Sequence, residues 1–513
     1  MARIIIDPDS WLFFLRCQFF GALIAASYLH FLNFMLNVNL MRQFPLKPVA
    51  AAVLIGLGLT SAVGAATPKA IPLDPAAPVT DAGGQRIAMD GSGNFATVWA
   101  THGLGDSPAG VAFRRYNASG VAQGTAPVLA NQTAVSGATP ALARNSTGTV
   151  VVVWRSDIHV LAQRFAADGT PLGTEITVNI SAANTRSQQP RVGSDSIGNF
   201  IVVWVSSGSN LLGRLFSADG TALSDEIALN DQTVDSSSFG DVAMDKNGNF
   251  AVTWLSAGQV RARRFTATGI ASGASIRVDL TPVANDTANP TVDYTLDQPV
   301  IAMDEAGDFA IAWHRDQATT QLTVKHIPKK CHTYSGYVSC TSAYDVNQYA
   351  ASTTSTIRFR RYDHTTANLS ATETEVAKVM FKTTYDANNT EPNFTTQQDL
   401  GQVAIAMDQT GNFAVAWEKS LTTRKKHCYT SSGYTNCSFN DTTISLIQFR
   451  QYPATGKPPA AAVTIAAPSK TLTVNVAPSI ALSKNGSLAV DWVAKGSSGT
   501  PSFWAQFYPA KKK

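Results

Sequence analysis

Residues 87–99 set out the pattern of the whole chain. A short apolar run, Ile87-Ala88-Met89, meets a polar turn, Asp90-Gly91-Ser92-Gly93-Asn94, and then the alternation Phe95-Ala96-Thr97-Val98-Trp99. Alternation places every second side chain on one face of a β-strand. Asp-x-x-Gly-Asn predicts a tight hairpin whose Gly accepts positive φ. The pattern returns almost unchanged as Val242-Ala243-Met244-Asp245-Lys246-Asn247-Gly248-Asn249-Phe250-Ala251-Val252-Thr253-Trp254. Its copies end at Trp99, Trp154, Trp204, Trp254, Trp313, Trp417 and Trp492, with Trp11 and Trp504 outside the pattern. Several copies lie about 50 residues apart, a period that points to propeller blades rather than helical solenoids.

Two more strands complete each unit. Gln163-Arg164-Phe165, Arg263-Arg264-Phe265 and Arg360-Arg361-Tyr362 mark the third. After turns such as Ala167-Asp168-Gly169, the fourth reads Glu175-Ile176-Thr177-Val178-Asn179 or Glu226-Ile227-Ala228-Leu229-Asn230. Four antiparallel strands are the composition of a blade. The seventh copy stops after its third strand, near Phe507, and the missing fourth strand stands at the other end of the repeats, as Ala70-Ile71-Pro72-Leu73-Asp74. Pairing the two removes two open sheet edges. The interval from Trp313 to Trp417 spans two periods yet holds no second Gly-Asn-Phe-x-x-x-Trp, so it reads as an insertion rather than an eighth blade. The fold expected is all-β: one seven-bladed β-propeller over residues 67–513, its ring closed by the N-terminal strand. Each Trp is expected between blades. Burying about 200 Å² at about 25 cal/mol per Å² gives at most roughly 5 kcal/mol apiece.

The string Ala-Met-Asp-x-x-Gly-Asn-Phe-x-Val-x-Trp, followed by Arg-Arg-Phe-x-Ala-x-Gly, resembles a repeat of exported bacterial proteins, mostly of unassigned function. The resemblance covers nearly all of residues 70–513, with departures in the second copy (Arg144-Asn145, Thr149-Val150) and the seventh (Ser483, Ser487-Leu488). It implies a propeller and surface or extracellular residence, and carries no catalytic residue over.

The first 66 residues read as an N-terminal extension plus a signal peptide. Met41 to Lys47 is a basic opening, Pro48 to Val63 an apolar run, and cleavage is expected near Ala65/Ala66. Trp11 to Leu40 is long enough to span a bilayer and would be a retained anchor; the simpler reading makes Met41 the true start. Secretion, to the extracellular space or cell surface with the periplasm as alternative, also suits the cysteines. Cys331 with Cys340, and Cys428 with Cys437, have equal spacing in similar text, which argues for two local disulfides rather than a zinc site with closer pairs. A net charge of +4 is too small to indicate a nucleic-acid partner.

In this ring, loops leaving the second and fourth strands share one face. Inserts at about 314–356 and 418–446, and long exits at about 280–297 and 383–400, would decorate one sector of it. Both inserts are basic and carry tyrosines. Lys329, Lys330, Tyr334, Tyr337, Lys425, Lys426, Tyr429 and Tyr434 are the candidate binding residues, offering flat apolar faces and fixed donors to an acidic glycan or protein partner. The same side chains could merely solubilise two disulfide-tied hairpins. No cofactor or metal is expected. Asp90, Asp195, Asp245, Asp304 and Asp408 begin turns singly, as caps of their own backbone, whereas calcium needs several converging oxygens. Ser194-Asp195-Ser196-Ile197-Gly198 resembles the structural Asp-box of sialidases without its Thr-Trp ending. No catalytic residue is assigned: neither a Gly-x-Ser-x-Gly elbow nor a His-Glu-x-x-His helix occurs, His102 and His314 stand alone, and Asp106 and Asp316 cannot be ranked as glycosidase acids. A binding or adhesion propeller is therefore the first reading, with an extracellular polysaccharide hydrolase or lyase and a structural surface scaffold as alternatives.

Overall fold

The computed structural model describes residues 70–74, 86–101, 110–132, 135, 139–180, 189–206, 209–282, 291–385, 396–431, 434–455, 461–466, 472–496 and 501–510. The N-terminal extension, the signal-peptide reading, His102 and Asp106 lie outside these residues.

Seven antiparallel sheets form a seven-bladed β-propeller. In the first blade Ile87–Met89, Phe95–Thr101, Gly110–Tyr116 and Ala122–Leu129 pair in chain order, innermost strand first. The last blade takes Leu472–Leu482, Leu488–Gly496 and Pro501–Tyr508 from the end of the repeats and its outermost strand, Ile71–Asp74, from the beginning. Ile71 lies opposite Ala505 and Pro72 opposite Trp504. The expected closure is present.

In five blades the turn after the inner strand is built by an aspartate, and Asn145 and Ser483 take its place in the second and seventh. Asp195 Oδ1 accepts hydrogen bonds from the backbone N–H groups of Ile197, Gly198 and Asn199 at 2.8–3.0 Å, while Oδ2 accepts from Asn199 Nδ2 at 2.8 Å. Asn199 Oδ1 in turn accepts from the Ala218 N–H, joining the first hairpin turn to the second. Asp90, Asp245 and Asp408 make the same turn. Gly198 at φ 101° has the left-handed conformation such a turn requires.

The core is a ring of seven clusters, each shared by two neighbouring blades. Trp154 and Phe165 of blade two pack with Val98 and Phe113 of blade one, and Trp99 packs with Phe503 and Phe507 of blade seven. All seven repeat tryptophans are at most 3% exposed. The second Arg of the third strand acts between blades: Arg115 donates to the Ala167 carbonyl, Arg164 to Ala218, and Arg361 to Ala454 and Pro453.

Blades five and six depart from the others. Their second strands, Phe309–Ile327 and Phe413–Ser431, run 19 residues, against six or seven in blades one to four. They pair with third strands Tyr344–Asp363 and Tyr434–Tyr452. The expected inserts are thus continuations of the blades as β-hairpins, whose roughly 12 extra residues reach about 40 Å at about 3.3 Å each. The long exits shrink accordingly, because Thr291–Met303, Thr374–Tyr385 and Thr396–Met407 extend as strands beside the hairpins. The outermost strands of blades three and four are shorter than their sequence suggests, two residues each. The first hairpin ends in Lys330–Tyr334 and Tyr337–Thr341 about Ser335 and Gly336, both at positive φ as a tight hairpin turn demands.

Candidate functional site

The central channel opens differently at its two ends. Where the Asp turns cluster, Met89, Met244, Met303 and Met407 narrow it to a cavity of about 160 Å³. At the opposite end, where inner strands begin and the long hairpins rise, a mouth of about 450 Å³ opens. Its charged lining comes from Arg86, Arg191, Asp241, Asp297, His314 and Glu418.

Most of these charges are tied between blades. Arg86 of blade one pairs with Asp491 of blade seven at 3.0 Å, and Thr97 Oγ1 donates to the other Asp491 oxygen at 2.9 Å. Arg191 of blade three faces Asp241 of blade four at 3.6 Å, whose second oxygen accepts from the Ile301 N–H of blade five at 2.9 Å. Desolvated ions of one sign would be costly, and pairing across the blades satisfies them.

The bases of the two hairpins supply the rest. In both blades the inner strand slips register just as it leaves the ring, between Asp297 and Val300 and between Leu400 and Val403. A bulge re-aims side chains. Here it brings Asp297 beside His314 and lets Glu418 lie over Gly401, where a Cβ would meet Glu418 Oε2 at 3.0 Å. His314 and Asp316 are two residues apart on one strand and so share a face. His314 is 5% exposed; its Nδ1 lies 3.1 Å from Asp297 Oδ2, and its Nε2 lies 2.7 Å from Ser355 Oγ and 3.1 Å from Asp316 Oδ1. Ser355 Oγ also accepts from the Leu400 N–H at 3.3 Å, which links blade five to blade six. Burial alone would lower the His314 pKa; the hydrogen bonds to Asp297 and Asp316 outweigh it and push the imidazole up to about 9. Asp399 joins the group, its carboxyl raised by burial and by the Asp316 charge. The mouth can therefore hold polar ligands through fixed groups of both signs.

The sequence-predicted binding residues sit elsewhere, towards the far ends of the hairpins. Lys329, Lys330, Tyr337, Lys425 and Tyr429 are exposed, Tyr337 by 83% and Tyr429 by 63%. The side chains of Tyr334, Lys426 and Tyr434 lie outside the described residues. None of the five described side chains lines the mouth. Cys331 is bonded to Cys340; Cys428 is disulfide-bonded and stands directly opposite Cys437 in the strand register. Part of the expected basic charge is spent locally. Arg424 holds Asp441 in a two-pronged ion pair at 2.8–2.9 Å, and Arg315 is paired with Glu373 at 3.0 Å. Lys329, Lys330 and Lys425 are left facing solvent.

His314 lines the mouth and Asp316, unranked in sequence, lies against it, while Asp297 and Asp399 were missed. Both lie on an inner strand at or just before its register slip, in Asp297-Gln298-Pro299-Val300 and Asp399-Leu400-Gly401-Gln402-Val403. Their offsets from the closing tryptophan differ, so no repeated position signalled them.

No family model matches the chain, and no curated protein matches it. Among solved structures it is similar to the β-propeller domain of the Trilobed protease from Pyrococcus furiosus: 7% identity, 85% of this chain and 96% of that one covered, TM-score 0.38. It is also similar to a protein of unknown function from Dyadobacter fermentans, at 9% identity, with 85% and 98% covered and TM-score 0.36. The periplasmic gluconolactonase of Pseudomonas aeruginosa follows at 12% identity, with 56% and 82% covered and TM-score 0.28. No activity is carried over from likenesses this remote.

Proposed function

We propose that the chain is an exported binding propeller that takes its ligand on the face carrying the two long hairpins. One observation carries the reading: two adjacent blades, and no others among the described residues, triple the length of their second and third strands on the side where the channel is widest. Ring stability does not need that length, whereas stiff projections on a fixed scaffold suit recognition. Exposed Lys329, Lys330 and Lys425 beside Tyr337 and Tyr429 fit an acidic glycan or an acidic protein surface. Export is supported by the Cys331–Cys340 disulfide, by the three-part signal in residues 41–66, and by the resemblance of the repeat to exported bacterial proteins. Among the described residues no helix is long and apolar enough to cross a membrane.

Arrays of immobilised glycans and acidic proteins, probed with the wild type and with Lys329/Lys330/Lys425/Lys426→Ala, test this reading. The quadruple variant is expected to lose at least about tenfold in affinity, with a shallower salt dependence. Binding that survives intact removes the hairpin ends from the site.

The carboxylates gathered at the mouth favour a second reading, a hydrolase or lyase acting on extracellular polysaccharide. Release of new sugar ends from a polysaccharide panel, abolished by Glu418→Gln, would support it; an inert panel would count against it.

A further inference from the structure

We infer that His314, Asp316 and Asp399 form a divalent-metal site beside the channel mouth, suited to a transition-type cation such as Zn²⁺ or Mn²⁺. One ligand atom from each lies within 4.8 Å of the others, close enough for a single ion to reach all three. The donors come from two blades, with His314 and Asp316 on the second strand of blade five and Asp399 on the inner strand of blade six.

Three features point to a cation rather than to a chance gathering of acids. His314 is nearly fully buried; Asp297 Oδ2 holds its Nδ1 at 3.1 Å, while Nε2 faces Ser355 Oγ at 2.7 Å and Asp316 Oδ1 at 3.1 Å. That is the carboxylate–histidine arrangement that orients an imidazole for a metal. Asp316 Oδ1 is buried, and it faces His314 Nε2 in an ion pair at 3.1 Å. The imidazolium meets that buried charge in the metal-free protein, and a metal ion would take the place of the Nε2 proton. Finally, His314 lines the 450 Å³ mouth, so an ion there would be reachable from solution. The donor set decides the class of ion. One imidazole nitrogen with two carboxylates suits zinc or manganese, whereas calcium prefers six to eight oxygens. Three protein ligands also leave at least one position for water or a ligand oxygen. The inference is independent of whether the hairpin ends bind an acidic partner.

The test uses the whole purified chain, stripped with chelator and titrated calorimetrically with Zn²⁺ and with Mn²⁺ alone, Ca²⁺ and Mg²⁺ serving as comparisons. One equivalent of Zn²⁺ or Mn²⁺ is expected. His314→Gln and Asp399→Asn should abolish that equivalent, and Asp297→Asn, which touches no metal, should weaken it by about 10- to 100-fold. Because buried His314 contributes to packing, each variant is also melted without metal. Added metal should raise the melting temperature of the wild type and leave His314→Gln and Asp399→Asn unmoved. No stoichiometric binding by the wild type, or equal binding by variants that still fold, would overturn the assignment.

Discussion

Trp492 makes a bond that four of its counterparts do not. Its indole Nε1 donates to Asn475 Oδ1 at 3.0 Å, whereas Trp154, Trp254, Trp313 and Trp417 bury theirs with no acceptor. Removing one partner of a buried hydrogen bond costs about 1–3 kcal/mol, while removing an N–H that had no partner spares that cost. Trp492→Phe is therefore expected to lower stability by roughly 1–2 kcal/mol more than Trp254→Phe, read from urea unfolding midpoints; equal losses would contradict the role given to Asn475. At this scale the repeated residues were legible. Trp and the turn-building Asp recur at fixed offsets, and repetition reveals a structural duty. The group about His314 was not, because Asp297, Asp316 and Asp399 stand at positions the other copies do not share, and only the bulges and the packing of blade six on blade five bring them together.

The hairpins of blades five and six behave as additions to the ring rather than parts of its core. Beyond Leu322 and Tyr349 the first is two strands wide, and the residues described there are mostly exposed. Replacing residues 321–350 by Asn-Gly, so that Thr320 and Ala351 are joined by a two-residue turn, should shift the melting temperature by less than about 3 °C, because it removes little buried apolar surface. A collapse of the ring would show that the hairpin is part of the core. The sequence disclosed the inserts and the opposed cysteines but not that the inserts are strands. Thr319-Thr320-Gln321-Leu322-Thr323-Val324 has good strand-formers, yet no alternation of buried and exposed sides, since both faces meet water.

The molecule as a whole is a circle of seven interfaces, and none of its core clusters belongs to a single blade. The fold class and the closing strand could be read from the text, because a fourth-strand pattern without its blade and a blade without its fourth strand imply each other. Leu73, 1% exposed, completes the cluster that also holds Trp99 and Phe503. The antiparallel pairing of Ile71 with Ala505 leaves Tyr508 and Ala70 near one another, where blade two has the short turn from Phe165 to Pro171. Seen this way, the polypeptide has an arbitrary starting point. Residues 70–510 rewired head to tail by a short glycine linker, and cut instead between Asp168 and Gly169, should refold to the same circular dichroism spectrum and a melting temperature within several degrees of the original, the seam having merely migrated round the rim to blade two.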